Sequence, residues 1–421
     1  MHLLSRRNRS EFLAVPALTR FTLSNGQAGP EATLLIKASS LTLKYLLRLK
    51  RFHLLIFRIS ANWLAYAVRI EDDKDHPATL WSLLEYDDEF FALLTLIEKP
   101  KCFVFLFNEL AVNVTWGEVE INLSDRRSTE LIRSSTLHPR TNTKTSIKTQ
   151  AADEVAKELD ALHPARLACR DGQVVEFLEV PEWHSLKSHY ITNRASSSLI
   201  SIFEVNEGRQ QEEIALWLID NLQPTGAVIS PQIHGKKVRE LTDLLISHEY
   251  GPILIESKVL GIISRDRLPN RSKLAADLIK DLQRATGQLI GGVKNLRRGC
   301  RITDIEGREL EVERTKPPHV IVLVPELSLL FEATQFGGEF IRTASASVGG
   351  FFHILDPFEL LRIVQAAEMI SARSKSLSPI MAFDYYLMER AKRAARSETP
   401  NFGVLIRFED EIGSGGNAAF G

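Results

Sequence analysis

The apolar residues between 209 and 324 switch between helical and strand spacing, and their order restricts the fold more than any other feature of the chain. Arg209–Leu222 carries Ile214, Leu216, Trp217 and Leu218 at helical spacing, with Pro224 just beyond its end. Gly226–Ile233, Leu241–Ser247 and Ile253–Leu260 read as strands, the last two joined by a turn at Tyr250-Gly251-Pro252. Ser272–Leu296 places Leu274, Leu278, Leu282, Leu289, Val293 and Leu296 on one helical face, with Ser272 as cap and Gly299 as stop. A hairpin at Cys300–Thr303 and Glu309–Val312, turning at Glu306-Gly307, leads to a buried-type strand, His319–Val324. Helix, three strands, helix, strand predicts an α/β unit built on a mixed sheet.

Domains usually hold about 100–200 residues, so a chain of 421 residues predicts two or three units. Residues 1–122 read as an α+β accessory domain, with strands at Phe52–Ile59, Trp63–Ile70, Cys102–Phe107 and Ala111–Ile121 and a helix over Ala78–Ile97. Its Trp63, Trp81 and Trp116 are expected in the core. Residues 123–194 read as a linker and connecting segment: 123–150 is polar and aperiodic, and a short helix is expected at Ala151–Leu162. The unit described above spans 195–325, with an apolar run at Ser198–Glu204 near its start. Residues 326–412 predict a strand at Phe351–Leu355 and helices at Pro357–Arg373 and Ala382–Arg396, and the Gly/Ala-rich end, 413–421, predicts disorder.

Composition excludes several classes. With 44% hydrophobic and 25% charged residues the chain can build a large core without disulfides. Three widely spaced cysteines, Cys102, Cys169 and Cys300, fit reduced thiols better than a zinc site. The most apolar stretch, Leu41–Ile70, is broken by Lys44, Arg48, Lys50, Arg51, Arg58 and Arg69, and no signal-peptide pattern opens the chain, so a cytoplasmic location is expected. A net charge of −1 gives no global signal for nucleic acid. Neither HExxH nor GxSxG occurs, and Gly291-Gly292-Val293-Lys294 lacks P-loop spacing.

The chemistry-bearing segment is Asp243, at the head of one apolar strand, with Glu256-Ser257-Lys258 at the end of the next. Residues i and i+2 of a strand share a face, so Glu256 and Lys258 stand side by side. A turn at 250–251 pairs Asp243 with that edge. Charges on otherwise apolar strands pair with one another or bind a metal. Two neighbouring carboxylates repel, and a hard cation such as Mg²⁺ or Mn²⁺ relieves the repulsion, with the Ser257 carbonyl as a further ligand. The bland alternative is a surface ion pair of Lys258 with Glu256 or Asp243. Asp72-Asp73-Lys74 matches the same short pattern but lies in a polar turn and is set aside.

The segment and its element order resemble the PD-(D/E)xK, or restriction-endonuclease-like, nucleases, and are similar to the nuclease-related domains of bacterial proteins. The resemblance covers residues 195–325. It implies an αβββαβ core, metal-dependent hydrolysis of phosphodiester bonds, DNA as substrate, Asp243 and Glu256 as metal ligands, and Lys258 as the catalytic lysine. It also implies a further acid on the preceding helix, for which Glu212 and Glu213 both stand. The helix after the motif is the nucleic-acid-facing one: from Arg265 to Arg298 there are nine basic residues against three acidic ones, an excess of six. Lys273, Lys280, Arg284, Lys294 and Arg297 are its candidate contacts, and Gln283 and Gln288 are candidates for a glutamine that some relatives carry there. Glu240 stands open between a site-edge residue and a plain surface charge. His234 and His248 flank the motif and read as ordinary polar residues near turns.

Three functions compete: a Mg²⁺-dependent nuclease, a catalytically silent nuclease-like module that binds nucleic acid or protein, and an assembly protein without a nucleic-acid role. The N-terminal domain is the expected surface for a homodimer or a partner protein.

Overall fold

Successive side chains of a strand face opposite ways, so a strand that is apolar throughout must be covered on both faces. The computed structural model describes residues 4–26, 29–59, 62–74, 76–138, 145–161, 172–192, 197–374, 376–400 and 402. In chain order these form α1 (Arg6–Ala14), β1 (Leu18–Gly26), β2 (Gly29–Lys37), α2 (Ser40–Leu49), β3 (Arg51–Arg58), β4 (Leu64–Ile70), β5 (Ala78–Leu83), α3 (Asp87–Glu98), β6 (Lys101–Phe107), β7 (Asn113–Glu120), α4 (Arg126–Arg133), α5 (Thr145–Ala161), β8 (Gln173–Glu179), β9 (Trp183–Ser185), β10 (Ser188–Ile191) and β11 (Ser197–Ile200). They continue as α6 (Glu207–Asp220), β12 (Gly226–Ile229), β13 (Gln232–His234), β14 (Val238–Glu240), β15 (Leu244–Ser247), β16 (Ile253–Ser257), α7 (Arg271–Arg297), β17 (Arg301–Thr303), β18 (His319–Leu323), α8 (Gly338–Val348), β19 (Phe351–Leu355), α9 (Pro357–Arg373) and α10 (Pro379–Ala394). The chain is mixed α/β.

Two sheets occupy the N-terminal part, ordered β1-β2-β6-β7-β9 and β5-β4-β3-β8. Along β3, Leu54 and Ile56 enter the large core, while Leu55 and Phe57 face a smaller cluster closed by Ala151 and Val155 of α5. The expected helix over 78–97 divides. Residues 78–83 form β5, antiparallel to β4 with Ala65 opposite Leu83, and only Asp87–Glu98 is helical. Leu80, Leu83 and Leu84 fit either period, and the acidic triplet Asp87-Asp88-Glu89 marks the true helix start. The expected linker is also structured. Asp125 caps α4 by accepting from the Ser128 N–H at 3.0 Å, and β8 and β9 complete the two N-terminal sheets. The three tryptophans are only half-buried. Cys102 is buried and Cys300 half-buried, and both are free; Cys169, Leu162 and residues 413–421 lie outside the described residues.

The later sheet is ordered β12-β15-β16-β18-β19, antiparallel from β12 to β16 and parallel from β16 to β19. Leu254, Val320 and Val322 point to α7, while Ile253, Ile255, Ile321 and Leu323 point to the cluster formed with α6, α9 and α10. Helices therefore cover both faces. Gly251, at φ 135°, makes the turn between β15 and β16, and a Cβ there would lie 2.6 Å from the Pro317 carbonyl oxygen. The N-cap of α7 is Asn270, which accepts from the Lys273 N–H at 2.9 Å, in place of the expected Ser272.

Buried charges fasten the N-terminal part to this sheet. Arg271, at the start of α7, donates to Asp72 at 3.0 Å and Glu326 at 2.5 Å, and its N–H donates to Asp73 at 3.0 Å. Ser39, the N-cap of α2, and Thr42 within the helix donate to the other oxygen of Glu326. Lys44 of α2 meets Glu207 at 2.7 Å, and Glu207 also accepts from the N–H groups of Ile262 and Ile263. Tyr45 donates to the Pro269 carbonyl. Removing one partner of such a network strands the others without a counter-charge. Arg271→Met should lower the unfolding free energy by about 3–5 kcal/mol in urea titration, the range for a broken buried pair. A loss within experimental error of zero would contradict this role of the junction.

Candidate functional site

Asp243 directly precedes β15, and the register that sets Leu244 opposite Ile255 brings it to the end of β16. Its Oδ2 accepts from the Ser257 N–H at 2.6 Å. Thr242 fixes the same crossing by donating to the Ile255 carbonyl at 2.6 Å. Glu256 is 5% exposed, and its Oε1 accepts from Lys258 Nζ at 2.9 Å. Lys258 follows the last residue of β16, yet its N–H still donates to the Leu323 carbonyl at 2.8 Å, which prolongs the strand geometry by one residue. The three groups named from the sequence thus meet at one end of the sheet. Lys258 pairs with Glu256, and this ion pair is only partly exposed.

The two acids of α6 differ in their surroundings. Glu213 pairs with Arg209 at 2.9 Å, while Glu212 lies 4.0 Å from the same guanidinium. Glu212 feels the charge of Asp243, and burial together with that charge pushes its carboxyl up to about 7. Burial, then the negative charge of Glu256, pushes Asp243 up to about 6, against the pull of the Ser257 N–H and Lys258. Glu240 is exposed, but its charge raises both Asp243 and Glu212, which places it at the edge of the site.

A cleft of about 260 Å³ opens beside these acids, lined by Ile233, Arg239, Glu240, Leu241, Thr242, Glu256, Gln288 and Gly292. Gln288 of α7 is therefore brought to the site, whereas Gln283 is exposed and does not line it. Gly292 permits the approach of α7: a Cβ there would lie 3.2 Å from both Cδ1 and the carbonyl oxygen of Leu241. A larger cleft of about 720 Å³ runs between Pro16, His76, Glu326 and Phe358, but its carboxylates Glu109, Glu326 and Asp356 all accept hydrogen bonds from neighbouring residues.

The remaining candidates separate. Arg284 precedes Gln288 by four residues, about 40° round the helix, and borders the cleft, whereas Lys280 lies a further turn back, about 80° round from Gln288. Lys273 is paired with Asp277 at 2.6 Å and Arg284 with Asp281 at 3.2 Å. Lys294 and Arg297 lie six and nine residues beyond Gln288, about 120° and about 180° round the helix, and Arg297 donates to the Gly349 carbonyl at 2.9 Å. Arg297 faces away from the cleft, and Lys294 shares a flank with Lys280, about 40° from it round the helix. The basic count from 265 to 298 overstates the patch, because Arg271 is consumed in the buried junction and Arg265 donates to the Leu260 carbonyl. His234 bonds Thr303 at 3.1 Å. His248 is at the opposite end of β15 from Asp243, buried, where burial pushes it down to about 4.

Two features escape the sequence reading. Gln211 is buried and donates to Ser257 Oγ, the Lys258 carbonyl and the Leu323 carbonyl at 2.9, 3.3 and 3.2 Å, so it clips the helix of Glu212 to the strand of Glu256. Its signal is a polar residue on the apolar stripe of Ile214 and Leu218. The expected strand Gly226–Ile233 breaks at Ser230, φ 53°, and resumes as the β13–β14 hairpin. No protein-family model matches the chain, and no curated protein or solved structure matches it.

Oxygen donors of this type suit Mg²⁺ or Mn²⁺. Among the described residues no three His, Cys, Asp or Glu side chains gather as a ready metal cage. Mg²⁺ commonly takes only one or two carboxylates and keeps several waters. Asp243 Oδ1 and Glu256 Oε2 accept no hydrogen bond among the described residues, so an acceptor oxygen remains on each acid.

A carboxyl whose folded pKa is raised binds its proton more tightly when folded, so the stability it contributes is complete below its unfolded value and fades as pH climbs through the folded one. For Asp243 that window runs from about 4, the unfolded value, up to about 6. Asp243→Asn should therefore gain in melting temperature relative to the wild type as pH rises from 5 to 7 in EDTA. Parallel curves for the two proteins across that range would refute the coupling.

Proposed function

We propose that the chain is a metal-dependent nuclease acting on DNA through Asp243, Glu256 and Lys258. The observation that carries the proposal is the meeting of Asp243 and Glu256 at one end of the sheet, with Asp243 raised by burial and then by the charge of Glu256, and a lysine beside them. The succession α6, β12, β15, β16, α7, β18 is in keeping with a restriction-endonuclease-like αβββαβ core.

Asp243, Glu256 and the Ser257 carbonyl would hold Mg²⁺ or Mn²⁺, which when bound polarises a phosphodiester and lowers the pKa of a coordinated water. The chain's own part follows from its charges. The Lys258 ammonium, tethered by Glu256, stands where negative charge grows on the phosphate oxygens and favours the transition state over the ground state. Glu212, at about 7, exchanges a proton near neutral pH. Gln211 keeps the strand bearing Glu256 and Lys258 in step with Glu212. Arg284, bordering the cleft, and Lys280, a further turn back on α7, attract backbone phosphates without reading bases.

A second reading, a nuclease-like module that binds without cutting, draws support from the direct Lys258–Glu256 ion pair, which satisfies the lysine internally. One assay separates the two. Plasmid nicking should require Mg²⁺ and stop in EDTA, and Lys258→Ala and Glu256→Ala should each lower the rate about 10²-fold or more, the cost of removing a transition-state contact. Cleavage that persists in both variants would exclude this site.

A further inference from the structure

We infer that the β13–β14 hairpin is the second wall of the nucleic-acid groove, and that the groove takes a duplex, held by its phosphates on both sides. The inference rests on the nuclease reading and adds the substrate class.

The hairpin is inserted between β12 and β15, the strands that flank it in sequence and pair with each other in the sheet. It is anchored at its base: the Ser230 N–H donates to the Asp243 carbonyl at 2.8 Å, and the Leu241 N–H to the Pro231 carbonyl at 2.8 Å. Any load on the hairpin is thus transmitted to the backbone of Asp243 itself. On its other flank β13 pairs with β17, with Ile233 opposite Ile302, so the projection is a three-stranded ribbon. An isolated two-stranded hairpin is marginal in water, and the third strand supplies support.

Its outer part is basic and open. Lys236, Lys237, Val238 and Arg239 are all exposed, and the stretch from Gly235 to Glu240 holds three cations against one acid. Nothing in the fold of a surface turn calls for three neighbouring cations. Arg239 and Ile233 line the cleft from this side, Gln288 and Gly292 line it from α7, and Glu256 lies between them. Arg284, one turn before Gln288, prolongs the α7 wall, and Lys280 adds charge a further turn away. Arg239 thus stands on one side of the cleft and Arg284 beyond its other side, with Glu256 and Glu240 in the lining, and cations flanking acids help a phosphodiester approach a site of like charge.

The side chains also point to the kind of nucleic acid. Proteins that hold single strands stack bases on aromatic rings. Neither Ser230–Glu240 nor Arg271–Arg297 contains a Phe, Tyr or Trp. What both walls offer is positive charge, the means of gripping two backbones of a paired helix without reading sequence.

The test uses full-length chain with Glu256→Gln throughout, so that binding is measured without cleavage. A short labelled DNA duplex and its separate single strand are titrated by fluorescence anisotropy across a range of salt. The duplex should bind more tightly. Replacing Lys236, Lys237 and Arg239 together by Ala should weaken duplex binding and reduce the slope of log K against log salt by about 0.9 for each phosphate no longer neutralised, up to nearly 3. Lys236→Arg with Lys237→Arg should keep the slope, which separates charge from misfolding. Tighter binding of the single strand would overturn the duplex assignment. An unchanged slope in the triple variant, alongside a reduced slope in Lys280→Ala/Arg284→Ala, would overturn the hairpin's role and leave the nuclease reading intact. No salt-dependent binding by the parent protein to either strand form would overturn both.

Discussion

The register between β15 and β16 decides what this part of the chain buries and which charges meet. With Leu244 opposite Ile255, alternate residues of both strands enter the cluster with α6, α9 and α10, and Asp243 arrives at the Ser257 N–H. A slip of one residue would turn Glu256 and the apolar side chains to the wrong faces together. The same apolar burial that stabilises the sheet therefore sets the acids in place. Gly251 makes the required turn, Thr242 ties across it, and Gln211 fastens the strand end to α6. The site has no separate scaffold from the core.

That scaffold extends to the N-terminus. The loop between Lys258 and α7 is held by Lys44, Tyr45 and Arg48 of α2, through Glu207, Pro269 and Ile263. The first residue of α7 is held by Asp72 and Asp73 from the turn after β4. An element expected as accessory is in this way part of what positions α7, and with it Gln288, Arg284 and Lys280. Asp72 and Asp73, which read in the sequence as a polar turn, are buried because Arg271 and the Ala78 N–H satisfy them.

The part legible in the sequence is the part governed by local period. The helices at 207–220 and 357–373, the strands at 253–257, 319–323 and 351–355, and the juxtaposition of Asp243 with Glu256 and Lys258 follow from spacing and one turn. The failures share a cause. Ala78–Leu83 carries apolar residues at distances that suit both periods, and only its pairing with β4 makes it a strand. Strand β8 pairs with β3 across more than a hundred residues of chain, a contact no local pattern records. A charge tally groups Arg297 with Arg284 because it ignores which flank of a helix a residue occupies, and these two stand about 140° apart on α7. The closeness of Glu212 to Asp243 shows only in the folded chain, where α6 is packed against the sheet.

The chain contains two assemblies of buried acids, and their chemistry separates them. Glu326 is half-buried, yet Arg271 and the hydroxyls of Ser328 and Ser39 hold its carboxyl below the usual range. Its charge is fully answered, which is what a structural junction requires. Asp243 and Glu212 are pushed upward by burial first and then by the other acids of the site, against the weaker pull of Lys258 on Asp243 and of Arg209 on Glu212. Folding alone does not favour such an arrangement: burying acids that are only partly neutralised costs free energy, and apolar residues of similar size would pack as well. On the proposed function a bound cation would relieve that cost. Arg271 marks where the chain commits a buried cation to structure, and the site beside Lys258 is where its acids are only partly neutralised.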